Sequence, residues 1–223
     1  MWCIPPESNA AFVYGMEAVL DVYKRDVNPE YPVVCMDETS VQCAKEVRPV
    51  IAAQPGETER YDAEYERNGV AHVMLFYAPF TDWRRLEVDD NHEAVTWAEG
   101  VRRLAEEDFP KAKLITLIMD NLNTHTGASL YKAFPPEQAL ALLKRFEFVF
   151  TPKHGSWLNM AECEFSVLSR QCLSRRMPDP EFVKAEIDAW TRDRNRRNKA
   201  ANWRFTTEDA RIKLARLYPK IND

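Results

Sequence analysis

Uninterrupted apolar runs and periodic apolar stripes alternate along this chain, and together they predict its secondary structure. A short apolar run bounded by turn residues is typical of a buried strand, and apolar residues every three or four positions are typical of a helix face. Two runs are each followed at once by an aspartate, 33–36 by Asp37 and 114–119 by Asp120. The same reasoning predicts three further strands, at 70–78, 83–88 and 146–150.

Helical spacing recurs in six segments, two of which begin with a capping residue. Asn91 is a predicted N-cap, since its side chain can accept a bond from a free backbone N–H group. Asp179 combines a capping oxygen with a proline at the first helical position. Between 44 and 67 the chain is polar and contains prolines and a glycine, which predicts turns with at most short strands. The predicted helices cover 10–25, 92–107, 136–145, 157–175, 180–199 and 207–217.

The predicted order is three strands, a helix, a strand, a helix, a strand and then helices, which indicates a mixed α/β single domain. Hydrophobic residues make up 45% of the chain and charged residues 29%, as in an ordinary globular enzyme. No apolar run approaches the ~20 residues that span a bilayer, and the first residues lack the pattern of a signal peptide, which excludes a membrane protein. The 5 cysteines are scattered without a C-x-x-C pair, so we expect a reducing, cytoplasmic setting.

Charge is distributed unevenly along the chain. The formal net charge is −5, which argues weakly against nucleic-acid binding. From Thr151 onward, however, there are 15 Lys and Arg residues against 10 Asp and Glu, whereas the first 150 residues carry 15 and 25. A basic second part can bind a polyanion when cations occupy the acidic first part. Composition alone favours the simpler interpretation of an unevenly charged, solvated surface.

Asp37 and Asp120 are the first candidates for chemistry because each directly follows a predicted buried strand. In open α/β sheets the ligand site lies beyond the carboxyl ends of the strands. Two carboxylates that meet there repel each other, and a Mg²⁺ ion, which prefers oxygen ligands, removes that repulsion. Taken singly, each aspartate is more simply interpreted as a turn or cap residue. Asn121 and His125 favour a site at Asp120, since they can position a metal, a water or a phosphate oxygen.

The third candidate segment, 151–165, is a loop that leads into a predicted helix and contains two glutamates. Glutamate near a helix N-terminus suits the positive end of the helix dipole, which explains both residues without a function. At about 100° per residue, Glu162 and Glu164 fall on opposite flanks of the apolar stripe, so periodicity does not choose between them. The other polar candidates in this segment are Lys153, His154 and Asn159.

Three blocks of this sequence resemble the signature segments of the mariner-type insertion-sequence transposases. They begin at Asp37 (Asp-Glu-Thr-Ser), at Asp120 (Asp-Asn, with a histidine five residues on) and at Asn159 (Asn-Met-Ala-Glu). In that family the third block typically reads Asn-Pro-x-Glu, with an aromatic residue three places after the glutamate. Here methionine replaces the proline and Phe165 is the aromatic residue. This alignment selects Glu162 as the third acidic residue.

The resemblance covers roughly residues 33–175 and implies a ribonuclease-H-like fold, in which helices flank a mixed central sheet. It implies a catalytic triad of Asp37, Asp120 and Glu162 that holds two Mg²⁺ or Mn²⁺ ions, with Asn121 and His125 in support. The implied reaction is DNA strand cleavage at transposon ends followed by strand transfer into target DNA. The implied partners are DNA and a second copy of the chain, in a homodimer.

Two features depart from the family pattern. The gap between Asp120 and Glu162 is longer than is usual, through extra helix around 135–143. Family members usually carry an N-terminal helix-turn-helix region that reads the transposon end, and nothing before Val33 is long enough to be that region. We therefore expect a catalytic core without it. The predicted divisions are a lead-in and helix at 1–32, a ribonuclease-H-like catalytic domain at 33–178 and a C-terminal helical extension at 179–223.

Basic residues in the second part of the chain offer a track for DNA. The candidates are Lys153, Arg192, Arg196 and Lys199. On a helical projection the last three share one face, opposite Arg194 and Arg197, and form a stripe suited to phosphate contacts. A solvated helix end with cations favoured by the dipole explains the stripe equally well. Two alternatives to a transposase stay open: an inactive transposase-derived DNA-binding or regulatory fragment, and another ribonuclease-H-like nuclease.

Overall fold

A computed structural model describes residues 7–48, 51–60, 63–197 and 200–220, which form one mixed sheet covered by helices on both faces. The strands in these ranges are β1 (Val33–Glu46), β2 (Tyr65–Ala78), β3 (Trp83–Asp89), β4 (Ile115–Met119) and β5 (Phe146–Phe150). Their spatial order is β3-β2-β1-β4-β5. β1, β2 and β3 form an antiparallel meander, while β4 runs parallel to β1 and β5 runs parallel to β4. The predicted mixed α/β architecture is confirmed.

Helices precede, interrupt and follow the sheet along the chain. A π-helical turn, Leu104–Asp108, continues the second helix, and short 3₁₀ turns lie at Ser156–Leu158 and Ala215–Leu217. The α-helices in the described ranges are α1 (Ala10–Tyr23), α2 (Ala94–Arg103), α3 (Gly127–Ala133), α4 (Pro136–Leu143), α5 (Met160–Gln171), α6 (Pro180–Arg197) and α7 (Thr207–Lys213).

Two hydrophobic cores lie on the two faces of the sheet, because successive side chains of a strand point to opposite faces. Cys35 packs with apolar side chains of α1, α5, α6 and α7, whereas Val34 and Met36 pack with those of α2, α3 and α4. All five side chains of β4 are buried, as expected for a central strand covered on both sides. The predicted domain boundaries stay predictions, although α1, α6 and α7 share one core with the sheet.

β1 and β2 are longer than the sequence predicts. The prediction of turns across 44–67 is wrong at both ends, since β1 continues to Glu46 and β2 begins at Tyr65. The first six residues of β2 are exposed, so this part of β2 is held by backbone pairing with β1 and has no buried side chains to mark it. Asp37 therefore lies inside β1, opposite Leu75, and does not end the strand as predicted. Asp37 still lies just beyond the point where the parallel pairing of β1 with β4 ends, at Cys35. We call this point the strand exit.

Other elements agree closely with the sequence, with three differences. β5 and the start of α6 are confirmed, and the Asp179 side chain accepts a bond from the Phe182 N–H at 2.7 Å as an N-cap does. α3 is a helix that the spacing of apolar residues does not predict. α2 begins two residues later than predicted, and Asn91 accepts from the Glu93 N–H before the helix starts. α5 is shorter at both ends than 157–175, and the predicted end of α6 at 199 lies outside the described residues.

No helix in the described ranges combines the length and the apolar character needed to cross a bilayer. The cysteines in those ranges, Cys35, Cys43, Cys163 and Cys172, are free thiols, and only Cys163 is exposed.

Candidate active site

Asp37 lies on the sheet face that α5 covers, within reach of the other two predicted carboxylates. Its Oδ1 accepts a bond from the backbone N–H of Glu38 at 2.8 Å, and its Oδ2 receives a longer contact from Asn159 at 3.4 Å. Burial raises the pKa of Asp37 to about 7; the Glu38 N–H opposes this, and the negative charges of Glu162 and Asp120 add to it. In the parallel pair of β1 and β4, Cys35 lies opposite Ile118, so Asp37 and Asp120 both follow the paired segment at the same end of the two strands.

Asn159 ties the beginning of α5 to β1. Its Oδ1 caps the helix by accepting from the Ala161 N–H at 3.1 Å, and its Nδ2 donates to the backbone carbonyl of Met36 at 2.8 Å. The side chain is buried, so these bonds satisfy groups that water does not reach. The first turn of α5, which carries Glu162, is thereby fixed beside the strand position that carries Asp37.

Glu162 and Glu164, which helix periodicity leaves undecided, have different surroundings. The Glu164 side chain is 4% exposed and pairs with Arg84 at 2.8 Å and with Arg194 at 3.0 Å. Glu162 is exposed in the first turn of the helix. The carboxylate of Glu164 is thus engaged between two guanidinium groups on the inner face of α5. Of the two residues, Glu162 has the carboxylate that is available to a ligand.

Asp120 follows β4 and is held by His125, the residue predicted to support it. His125 Nδ1 lies 2.7 Å from the Asp120 carboxylate, and the imidazole is fully buried against the ring of Trp97 at a centroid distance of 5.8 Å. Burial lowers the pKa of His125, but the carboxylates of Asp120 and Glu38 outweigh this effect and raise it to about 9. The bond between His125 Nδ1 and Asp120 fixes the direction of that carboxylate, and the other ring nitrogen, Nε2, faces Glu38 at 3.4 Å.

A cleft of about 410 Å³ opens beside Asp120. Asn121 and Lys153, which are exposed, line it together with His154 and parts of the loops that follow β4 and β5. His154 has a φ of 65°, a left-handed conformation that is uncommon for residues other than glycine and that recurs at functional sites. The cleft thus places a lysine and the exposed edge of a carboxylate on one open surface. Asn121 contributes to its wall, and its predicted supporting role stays a prediction.

The arginines near the end of α6 have two kinds of surroundings. Arg194 points inward to Glu164. Arg192, Arg196 and Arg197 are exposed, and Arg197 pairs with Asp193 at 2.5 Å. Lys199, the third residue of the predicted stripe, lies outside the described residues. Contact with DNA stays a prediction for this stripe and for Lys153.

Two side chains without a role in the sequence interpretation join the site. Glu38 follows Asp37 directly and therefore points to the opposite face of the sheet, where its carboxylate lies 3.0 Å from His92 Nδ1 and 3.4 Å from His125 Nε2. Strand alternation was the signal that could have located Glu38. Nothing in the sequence marks His92, which falls at the start of a predicted helix and reaches the site only through the folding of the chain.

The donor set suits a hard divalent cation. Asp37, Asp120 and Glu162 offer carboxylate oxygens, which Mg²⁺ and Mn²⁺ prefer. Within the ranges that the structure describes, no three His, Cys, Asp or Glu side chains already stand close enough together to hold one ion. Glu162 is exposed, so its carboxylate can turn toward Asp37, while the direction of Asp120 is set by His125. A cation would offset the mutual repulsion of the three carboxylates, so the residues present fit a metal site.

Solved structures of the Mos1 mariner transposase have the same fold. The Mos1 paired end complex with Mn is 18% identical, and the match covers 96% of this chain and 62% of that chain with a TM-score of 0.56. The catalytic domain of Mos1 mariner transposase is 16% identical, with 85% of each chain covered and a TM-score of 0.55. A pre-cleavage Mos1 transpososome is 15% identical over 99% of this chain and 66% of that chain, with a TM-score of 0.58.

At these identities the likeness is one of fold, and it confirms the predicted ribonuclease-H-like architecture. This chain spans 62% of the length of the Mos1 chain in the paired end complex with Mn. No curated protein matches the chain. Residues 32–184, more than half of the chain, match the family model described as DDE superfamily endonuclease. The carboxylates around the strand exit all lie within that range, and the chain belongs to the DDE superfamily endonucleases.

Proposed function

We propose that this chain is the catalytic core of a DNA transposase that cleaves strands at transposon ends and joins the freed 3′-hydroxyl to target DNA. The observation that carries the proposal is the grouping of Asp37, Asp120 and Glu162 around one strand exit beside an open cleft. The family supports an endonuclease, and Mos1 in the matching structures is a transposase bound to its ends. The whole reaction of Mos1 is extended to this chain only as part of this proposal.

Two Mg²⁺ or Mn²⁺ ions are part of the proposal. Asp37 would contribute to both ions, and Asp120 and Glu162 would each complete the ligand set of one. When bound, the ions would lower the pKa of a water or a 3′-hydroxyl and stabilise the leaving oxygen. Structures of Mos1 with Mn and with Mg support this choice of cations.

The protein's own groups would align the reacting phosphate. His125 fixes the direction of the Asp120 carboxylate, and Asn159 fixes against β1 the backbone of the first turn of α5, which carries Glu162. Lys153 on the cleft wall would attract a phosphate of the cleaved strand through its charge. Glu162, which is exposed, would be the last of the three to take its position.

Replacing Asp120 by alanine is the direct test. We expect the loss of at least about 100-fold in nicking and joining of end-containing DNA in Mg²⁺ or Mn²⁺, since even outer partners of metal ligands are worth 10–100-fold. Gel assays of labelled duplexes from the ends of the encoding element measure both steps. Asp26→Ala, which removes an exposed aspartate from a loop far along the chain from the site, is the matched control. Unchanged nicking and joining by Asp120→Ala would contradict the assignment.

The same assay separates the alternatives when RNA–DNA hybrids and branched DNA are offered beside the end-containing duplexes. Preferred cleavage of hybrids or branched DNA points to another ribonuclease-H-like nuclease. DNA binding without any metal-dependent cleavage points to an inactive regulatory fragment.

We further propose a homodimer on DNA, in line with the paired end complexes of Mos1, to be measured as the mass of the DNA complex by light scattering. A cytoplasmic location is part of the proposal and agrees with the free thiols in the described ranges.

The exposed arginines of α6 are proposed to contact DNA phosphates. Replacing Arg192 and Arg196 together by alanine is expected to weaken duplex binding and to reduce the slope of log affinity against log salt by about 2, at about 0.9 per phosphate contact. Fluorescence anisotropy across a series of salt concentrations measures that slope. Arg197→Ala removes a charge from the same helix end, but its guanidinium is paired with Asp193, so the slope should stay unchanged. Equal slopes for the double variant and the wild type would remove these arginines from the DNA-binding surface.

A further inference from the structure

A line of side chains in hydrogen-bond or ion-pair contact connects Asp120 to the surface of β2. It crosses four separate segments of the chain, and each member lies within 3.4 Å of the next. In order, the members are Asp120, His125, Glu38, His92, Ser40 and His72. Three of the 4 histidines of the chain belong to this line. We call it the histidine line.

Packing holds the middle of the histidine line. The Glu38 side chain is 8% exposed, so its carboxylate depends on partners supplied by the protein. Those partners are His92 on one oxygen at 3.0 Å and His125 on the other at 3.4 Å. The ring of His92 packs edge-on against that of His72 at a centroid distance of 4.2 Å, which fixes its plane.

The partners of the two ring nitrogens determine which tautomer His92 adopts. Burial lowers the pKa of His92, so the imidazole is neutral at pH 7 and carries one proton. The Nδ1 atom faces a carboxylate oxygen of Glu38 at 3.0 Å, which is an acceptor, so that proton is placed on Nδ1. The Nε2 atom then accepts from the Ser40 hydroxyl at 3.0 Å. Ser40 has one proton, so it accepts in turn from His72 Nδ1 at 3.2 Å.

We propose that Glu38 and His92 are positioning residues for Asp120, a role that rests on the proposed function. His125 is hydrogen-bonded to Asp120 at Nδ1 and lies in ion-pair contact with Glu38 at Nε2, and Glu38 is in turn in contact with His92 at 3.0 Å. Without the Nδ1–H donor of His92, one oxygen of Glu38 loses its partner and the carboxylate turns. Nε2 of His125 then has no fixed acceptor, and the Asp120 carboxylate, which His125 orients, becomes mobile.

Three substitutions of His92 separate positioning from plain stability. Asparagine keeps an amide donor where Nδ1 stands, glutamine carries its amide where Nε2 stands, and alanine carries neither. We expect His92→Ala and His92→Gln to raise about 10-fold the Mn²⁺ concentration that half-saturates the protein and its nicking activity, and His92→Asn to stay near the wild type. Electron paramagnetic resonance of free Mn²⁺ measures binding to the whole chain without DNA. Equal Mn²⁺ affinity in all three variants would overturn the proposal, whatever their melting temperatures.

Glu38→Gln supplies a second, independent variant. The amide keeps the shape of the side chain but offers one accepting oxygen to two histidine donors, so we expect a loss of Mn²⁺ affinity similar to that of His92→Ala. Glu93→Gln, at an exposed position next to His92, is the matched control and should bind Mn²⁺ like the wild type. Normal Mn²⁺ affinity in Glu38→Gln would remove Glu38 from the positioning role.

Nitrogen-15 spectra of the imidazoles test the histidine line apart from any catalysis. With 4 histidines in the chain, single substitutions assign every ring. We expect the Nδ1–H tautomer for His92 and a shift of the His125 nitrogens in His92→Ala but not in His92→Asn. An Nε2–H tautomer at His92, or unchanged His125 signals in His92→Ala, would overturn the proposal. Absence of nicking by the wild type would instead count against the proposed function, with the spectra still reporting on the line.

Discussion

Replacing Glu162 by glutamine is expected to abolish metal-dependent DNA cleavage while leaving the folded protein almost as stable as before. Glutamine keeps the size of the side chain and removes the charge that would hold a cation. The residue is exposed in the first turn of α5, where loss of a negative charge costs about 0.3–1 kcal/mol through the helix dipole. Cleavage should fall at least about 100-fold, since the substitution removes a proposed ligand rather than an outer partner.

Nicking rates at several Mn²⁺ concentrations, together with thermal unfolding followed by circular dichroism, measure both parts of this expectation. Glu162→Asp is the graded control, because it keeps a carboxylate with a shorter reach and should retain part of the activity. A Glu162→Gln protein that cleaves within a few-fold of the wild type would exclude Glu162 from the metal site.

Replacing Glu164 by alanine is expected to have the opposite profile and to destabilise the fold by about 3–5 kcal/mol, the usual cost of removing one partner of a buried ion pair. Glu164 lies between Arg84, which is fully buried, and Arg194. Asp82 also pairs with Arg84, so the four side chains form a buried set of balanced charge. Without Glu164, that set carries an uncompensated positive charge in a place that water does not reach.

Urea unfolding of Glu164→Ala beside Glu162→Ala measures the difference, since the two substitutions remove the same atoms from the same helix. For a chain of this length, each kcal/mol lowers the melting temperature by about 2–4 °C. A double-mutant cycle with Arg194→Ala then isolates the coupling of Glu164 to one partner, expected at about 0.5–3 kcal/mol. A loss below about 1 kcal/mol for Glu164→Ala would mean that Arg84 does not depend on this carboxylate.

The sequence predicts well those parts of the fold in which burial or capping requires a local pattern of residue types. β4 and β5 are short apolar runs, and the start of α6 has an aspartate cap followed by proline. The first six residues of β2 are all exposed and are held by backbone bonds to β1, so this part of the strand has no alternation of burial to reveal it. α3 was missed for a related reason, because it has seven residues and buries only Ser129 and Leu130.

The candidate site was predictable where chemistry follows directly on a strand, as at Asp120. The choice between Glu162 and Glu164 was not predictable from periodicity, because it depends on where Arg84 and Arg194 lie once α5 and α6 have packed. The resemblance selected Glu162, and the burial of Glu164 supports that choice by a separate physical argument. His92 lay beyond sequence reasoning because no local pattern brings it to Glu38.

The placement of Asp37 and Glu38 on opposite faces of β1 has a consequence for how genes of this kind can change. A one-codon deletion or insertion between Val33 and Asp37 would shift every later side chain of the strand to the other face. The carboxylate facing α5 would exchange places with the one facing His92 and His125, and both halves of the site would be lost together. Substitutions at exposed positions of β1 leave that arrangement intact. We therefore expect this segment to change by substitution at constant length and not by insertion or deletion.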